Sequence, residues 1–251
     1  MKYFRICGMM LIIAVFMTGG VGAQDATTIV QRCVQHMQGK SSYGEMKMTI
    51  VRPSWQRDVS FKTWTYGTDL SLIRITAPAR DKGAAFLKRG NEIWNWQPSI
   101  RRTIKLPPSM MSQSWMGSDF TNDDLVKQSS MAEDYTHKII GNEVLQGYPC
   151  YIINLTPKPN AAVVWGKVKL WISKTDYLQL KAEFYDQDGF LVNTLTGSKI
   201  KKMGDRLIPS VLEVTPADNP GQKTVIEQLS LRFDTGITPA FFSQQQLKSD
   251  H

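Results

Sequence analysis

The chain has 251 residues, 42% of them hydrophobic and 21% charged, with a formal net charge of +8 at pH 7. That balance excludes a disordered or low-complexity protein, and the length is ample for a sizeable core. Three cysteines and three histidines exclude a disulfide-dense scaffold and offer no cluster at metal-ligand spacing, so no metal and no other cofactor is expected.

The opening "MKYFRICGMMLIIAVFMTGGVGA" reads as a secretory signal peptide. Lys2 and Arg5 give a positive start, and the apolar run from Met9 to Met17 is too short to span a bilayer comfortably. Val21, Gly22 and Ala23 place small residues at the cleavage position, so cleavage is expected after Ala23. Gly19, Gly20 and Gly22 argue against an uncleaved anchor. Residues 24–251 then form one domain, exported and, by this reading, monomeric. Their basic balance suits anionic lipid or an acidic protein partner, or serves solubility alone; the exported compartment excludes nucleic acid.

The stretch "DATTIVQRCVQHMQGK" places Ile29, Val30, Cys33, Val34 and Met37 on one face of a helix. Asp25, Thr27 or Thr28 can cap its start, and Gly39 stops it. After it the period changes to two. Segments such as "EMKMTIV", "RDVSFKTWTY", "DLSLIRITA", "GAAFLKR" and "NEIWNWQP" follow one another through short turns, and "GKVKLWISK", "YLQLKAEFYDQDGFLVNTLT" and "TVIEQLSLRFD" continue the series. Gly67, Gly90, Gly189 and Gly204 supply positive φ at hairpin turns. Leu178, Leu180, Ala182 and Phe184 alternate with Gln179, Lys181, Glu183 and Tyr185, as in an antiparallel sheet wet on one face. The fold class is mainly β: a meander, a barrel or a strongly curved sheet. Only the first helix and the interruption from Leu106 to Glu133 are free to cover its apolar face. Cys33 and Cys150 remain after cleavage, and an oxidising compartment permits a bridge that sequence alone neither requires nor excludes.

The interruption contains "PPSMMSQSWMGSDFTNDDLV", residues 107–126, and long insertions are where function concentrates. Its carboxylates Asp119, Asp123 and Asp124 permit one reading, a hydrolase. The other is structural. Thr121 followed by Asp124 reads as a helix N-cap with an acidic third residue, Asp123 and Asp124 suit a first helical turn, and Ser118-Asp119 is a turn pair. No nucleophile elbow, zinc helix, phosphate loop or dinucleotide fingerprint occurs, and Asp186-Gln187-Asp188-Gly189 lacks the glutamate of a calcium loop. No catalytic residue is therefore assigned. Met110, Met111, Trp115, Met116 and Phe120 are apolar in a segment without strand alternation, and Trp64, Trp94 and Trp96 add rings on neighbouring strands. Together they predict a ring-lined cavity under an apolar flap, with Asp119, Thr121 and Asp124 as hinge and cap.

Five collinear segments, "RITAPARDKGAAFLKRGNEIWNWQPSIRRTIKLP", "WMGSDFTNDDL", "GNEVLQGYPCYIINLTPK", "EFYDQDGFLVNTL" and "FDTGITPAFFSQQQL", resemble the LolA-like outer-membrane lipoprotein-sorting proteins, in their longer branch. The resemblance implies an incomplete, strongly curved antiparallel β-barrel, a half-barrel, covered by an N-terminal helix and a helical or loop lid. It implies a periplasmic carrier of lipid or of lipoprotein acyl chains, with an inner-membrane exporter as donor and an outer-membrane acceptor. The alternative in the same fold is a non-transporting envelope sensor or accessory subunit. The resemblance also implies an arginine that holds the lid shut; its place in this chain is left open, with Arg74 on a predicted strand.

Overall fold

The computed structural model describes residues 25–124 and 130–249. The expected signal peptide and residues 125–129 of the insertion lie outside the described residues. Helix α1 (Ala26–Gln38) starts where the Asp25 carboxylate accepts the Thr28 backbone N–H. It stops at Gly39, whose φ of 66° only glycine adopts without strain. Six strands follow: β1 (Ser41–Arg52), β2 (Trp55–Tyr66), β3 (Leu70–Ala77), β4 (Ala85–Arg89), β5 (Glu92–Gln97) and β6 (Arg102–Lys105). Beyond the insertion come β7 (Tyr135–Leu145), β8 (Tyr148–Pro157), β9 (Lys167–Ser173), β10 (Gln179–Tyr185), β11 (Leu191–Met203), β12 (Arg206–Pro216) and β13 (Lys223–Phe233). A short helix α2 (Gln244–Leu247) ends the described chain.

All thirteen strands form one sheet in the order β6-β5-β4-β3-β2-β1-β13-β12-β11-β10-β9-β8-β7. Neighbours in sequence pair antiparallel, and the β1–β13 seam joins the two halves. The sheet is mainly antiparallel meander, strongly curved and not closed into a barrel. Its two free edges, β6 and β7, are consecutive in sequence, so the insertion between them has to cross the open side of the half-barrel. Among the described residues, no helix is long and apolar enough to cross a membrane.

The inner face carries the main core. Ile29, Val30 and Cys33 of α1 pack there with Met48, Ile50, Phe61, Ile153, Leu170, Phe184, Val214 and Ile226 from strands of both halves. The helix is tied to the C-terminal half by polar contacts at its middle and its C-terminal end. Arg32 donates to the Tyr177 hydroxyl at 2.8 Å, His36 Nε2 lies 2.8 Å from the Leu207 carbonyl, and Arg206 donates to the His36 carbonyl at 3.2 Å.

The outer face corrects two sequence expectations. It is not simply wet, because "LSLIRITA" is apolar on both sides of the strand, the pattern of a strand covered twice. A third cover, residues 237–247, lies over it: Ile237, Phe241, Phe242 and Leu247 pack on Leu72, Ala85 and Leu87. Nor does β10 alternate through its whole length. A register shift against β9 between Gln179 and Lys181 turns the strand over. Leu178 and Leu180 therefore pack outside with Cys150 and Trp171, while Ala182 and Phe184 stay in the inner core. The same two-sidedness separates the cysteines. Cys33 lies in the inner core and Cys150 in the outer cluster, and both are free and buried.

Candidate functional site: an inner cavity under a flap

The inner face encloses a cavity of about 230 Å³. One water molecule needs roughly 10–15 Å³ by the same kind of measure, so the space is far larger than a packing defect. Phe61, Ile73, Phe184, Leu195, Val214 and Ile226 form its strand wall. Cys33, Val34 and Met37 of α1 close one side, and Trp165, in the loop before β9, closes another. Trp165 packs against Phe184 in a tilted arrangement, with ring centroids 5.2 Å apart.

The roof is the described part of the insertion. After a 3-10 turn (Pro108–Met110), the chain doubles back on itself through an isolated antiparallel bridge between Ser114 and Thr121. The Trp115 N–H donates to the Phe120 carbonyl at 2.8 Å, and the Asn122 N–H donates to the Gln113 carbonyl at 2.9 Å. Between them Met116 and Gly117 take φ of 53° and 78°, the left-handed turn that reverses the chain. This brings Trp115 and Phe120, 1% and 8% exposed, down into the cavity. Trp115 meets Phe61 and Phe86 edge-on at 5.5 and 5.7 Å, which joins the flap to β2 and β4.

A buried ion pair holds the roof to the sheet. Arg52, the last residue of β1, donates from Nη1 and Nη2 to the two oxygens of Asp119 at 3.1 and 3.0 Å. The same guanidinium donates to the Gly117 carbonyl at 2.9 Å. Thr224 of β13 donates its hydroxyl to Asp119 at 2.7 Å and receives the Asp119 N–H at 3.0 Å, while Asn193 of β11 donates to the Asp119 carbonyl at 3.2 Å. Arg57 of β2 donates to the Met116 carbonyl. Asp119 is thus a fully engaged anchor, beyond the turn pair that its sequence suggested. Thr121 and Asp124 exchange reciprocal hydrogen bonds, 2.7 and 3.1 Å, in the form of a capping box. Asp124 also accepts from the Trp165 indole at 2.9 Å, and burial pushes its carboxyl above the ordinary range against these hydrogen bonds.

The residues singled out in the sequence separate into two groups. Trp115, Phe120, Asp119, Asp123 and Asp124 line the cavity, and Met116 packs half-buried at its margin. Met110 and Met111 are half-buried in the roof and contribute nothing to the lining. Trp64, Trp94 and Trp96 stand on the outer face, packed with the C-terminal cover; Trp64 lies 5.7 Å from Phe241. The pairing of Trp94 with Leu87 and of Asn95 with Phe86 fixes this, because the Trp94 side of β5 is the Leu87 side of β4. Arg74 is outside too. It donates to the Gln246 carbonyl at 2.5 Å and lies 5.8 Å from the Trp64 ring, so it fastens the C-terminal cover. The roof is fastened instead by Arg52, together with Arg57, Thr224 and Asn193. Sequence reasoning also missed the lining residues of the second half, above all Trp165 and Phe184. The intact alternation of Ala182 and Phe184 beyond the bulge is the one signal that could have marked Phe184.

Comparisons with known proteins agree with this architecture. A family model described as "Uncharacterized protein" matches residues 67–249, well over half of the chain. No curated protein matches the sequence. Among solved structures, a DUF1329 family protein from Desulfovibrio piger is 27% identical, with a TM-score of 0.81 over 88% of this chain and 97% of that one. A putative outer membrane lipoprotein-sorting protein domain from Vibrio parahaemolyticus is 24% identical, with a TM-score of 0.80 over 89% of this chain and 98% of that one. A LolA superfamily protein from Nitrosomonas europaea is 22% identical, with a TM-score of 0.77 over 89% of this chain and all 100% of that one. The chain therefore belongs to the family of that uncharacterized-protein model, and its half-barrel is the LolA-like fold of the outer-membrane lipoprotein-sorting proteins.

Proposed function

We propose that this protein is a periplasmic carrier that takes up lipid, or the acyl chains of a lipoprotein, in the inner cavity and moves them between the inner and outer membranes. The observation that carries the reading is the cavity itself: an apolar space in a β half-barrel, roofed by Trp115 and Phe120 on a flap that one ion pair fastens. A wall dominated by rings and aliphatic side chains, with no nucleophile paired to a general base among the described residues, suits binding rather than covalent chemistry. Two of the three flap aspartates support the same reading, since Asp119 is committed to Arg52 and Asp124 to Thr121 and Trp165.

The energetics suit a shuttle. Burying an acyl chain of roughly 16 carbons at ~0.8 kcal/mol per CH₂ yields on the order of 12 kcal/mol gross. Ordering the flap and restraining the ligand take back several kcal/mol. The remainder holds cargo in water yet lets a greasier acceptor remove it. Opening requires the flap to lift, and the Arg52–Asp119 pair sets how easily it does so.

The test is a titration with a dansyl-labelled palmitoyl probe, alongside Val214→Trp, which fills the cavity from a wall residue that is 2% exposed. Saturable binding that the variant abolishes while still folding supports the carrier. Absence of binding, or equal binding by the variant, overturns it, and a stable stoichiometric complex with an envelope protein in that variant would favour a sensor or accessory subunit.

A further inference from the structure

The cavity is not uniformly apolar, and the sheet register shows how its polarity is graded. Lys88 pairs with Ser71, Ser71 with Thr65, and Thr65 with Ser42, so these four residues form one cross-strand row over β4, β3, β2 and β1. All four face the cavity. The Ser42 and Thr65 hydroxyls lie 2.6 Å apart, and the Lys88 ammonium donates to the Thr68 carbonyl at 2.6 Å. Two pleats further in, Ile75, Phe61 and Met46 form the corresponding row, wholly apolar. The polar row sits at the rim, beside the exposed Gly67 of the β2–β3 turn, whereas the apolar rows run under Trp115.

Lys88 is only 7% exposed, so its charge is held in a shielded position where a counter-charge is felt strongly. The lining carboxylates Asp119, Asp123 and Asp124 belong to the flap. Asp119 meets the far end of β1 through Arg52, whereas Ser42 stands ten residues back along that strand, roughly 30 Å at ~3.3 Å per residue. Lys88 thus stands at the opposite end of the sheet from the ion-paired Asp119, with the apolar rows between them.

We propose that this rim row is a seat for the anionic head group of an amphiphile, with Lys88 as the counter-charge and Ser42, Thr65 and Ser71 as hydroxyl donors. The tail then runs inward against Phe61 and Trp115. This rests on the carrier reading and names its ligand class: a single-headed amphiphile with a negatively charged phosphate or carboxylate, oriented head outward. The reversed orientation is disfavoured because it would set the charged head group against the apolar row of Ile75, Phe61 and Met46.

The experiment compares palmitoyl lysophosphatidylglycerol with monopalmitoylglycerol, which share a tail and differ by the anionic phosphate, using the purified protein, Lys88→Met and Lys88→Arg. The wild type should bind the anionic lipid about tenfold more tightly, the order expected of one charge-assisted contact. Lys88→Met should lose that preference, and Lys88→Arg should keep most of it. Inorganic phosphate at the lipid's concentration should displace nothing, because the tail supplies most of the affinity. Equal wild-type affinities, or a preference that survives in Lys88→Met, overturn the head-group seat and leave the carrier reading intact. Displacement by phosphate overturns the amphiphile assignment, and failure of both lipids to bind overturns seat and carrier together. Should Lys88→Met fold poorly, the wild-type comparison still decides.

Discussion

Replacing Arg52 by methionine should loosen the roof without unfolding the sheet. The side chains of Arg52 and Asp119 are 13% and 8% exposed, so the substitution leaves a nearly buried carboxylate with Thr224 as its side-chain donor. Removing one partner of a fully buried pair costs ~3–5 kcal/mol, and the remaining exposure here brings the expected loss to about 3 kcal/mol. At 1.4 kcal/mol per factor of ten, that is a change on the order of a hundredfold in the population of opened flap. Hydrogen exchange reads it directly. The Trp115, Asn122 and Asp123 N–H groups are bonded within the flap, to Phe120, Gln113 and Met111, and should exchange about a hundredfold faster. Amides of β9 and β10, in the interior of the sheet, should change by less than about threefold. Unchanged protection at Trp115 and Asp123 would refute the latch; a uniform acceleration through every strand would show that Arg52 supports the sheet rather than the roof. Asp119→Leu combined with Arg52→Met should recover part of the loss, because an apolar pair leaves no charge stranded.

Three further outcomes follow from the packing. Phe242→Ala empties a site that is 1% exposed and should cost ~3–5 kcal/mol in thermal unfolding, yet leave acyl-probe affinity unchanged because the outer cover is separate from the cavity; a parallel loss of binding would contradict that separation. Gly166→Ala would set a Cβ 2.4 Å from the Asp186 carbonyl oxygen, so a fall of at least ~2 kcal/mol in stability is expected, read by urea titration, and an unchanged midpoint would refute the close approach of these two loops. Burial pushes the Cys33 thiol up to about 12, so the protonated form is favoured throughout the neutral range and the native protein should resist maleimide labelling at pH 8 until denatured. Rapid native labelling, or a mass showing a Cys33–Cys150 bridge, would contradict the burial of the two thiols in separate clusters.

Local chemistry made the elements legible. Glycines at hairpin turns, the Asp25 cap and the Gly39 stop bound α1 and several strands as the sequence suggested, since each depends on a few neighbouring residues. The faces of the strands were less legible, because parity says which residues share a side but not which side is inward. Trp94 and Trp96 do share one face, and their size suggested a cavity wall; only the pairing of β5 with β4, and the distant Phe241 and Phe242, place them outside. In β10 even parity fails, since the shift near Leu180 transfers the strand's first leucines to the opposite face. The anchor at Asp119 was hidden for a related reason. Its partner Arg52 is 67 residues away, and nothing in either neighbourhood announces the other. The flap, by contrast, was visible as an apolar segment without alternation, and its Trp115 and Phe120 do enter the cavity.

Native mass spectrometry with lipid extraction, on protein purified without detergent from cells expressing the full chain, bears most directly on whether the inner cavity is a cargo site. A carrier should show a population with bound lipid or an acylated peptide, lost in Val214→Trp and depleted of anionic species in Lys88→Met. A clean ligand-free mass that persists after incubation with lipid vesicles would contradict it.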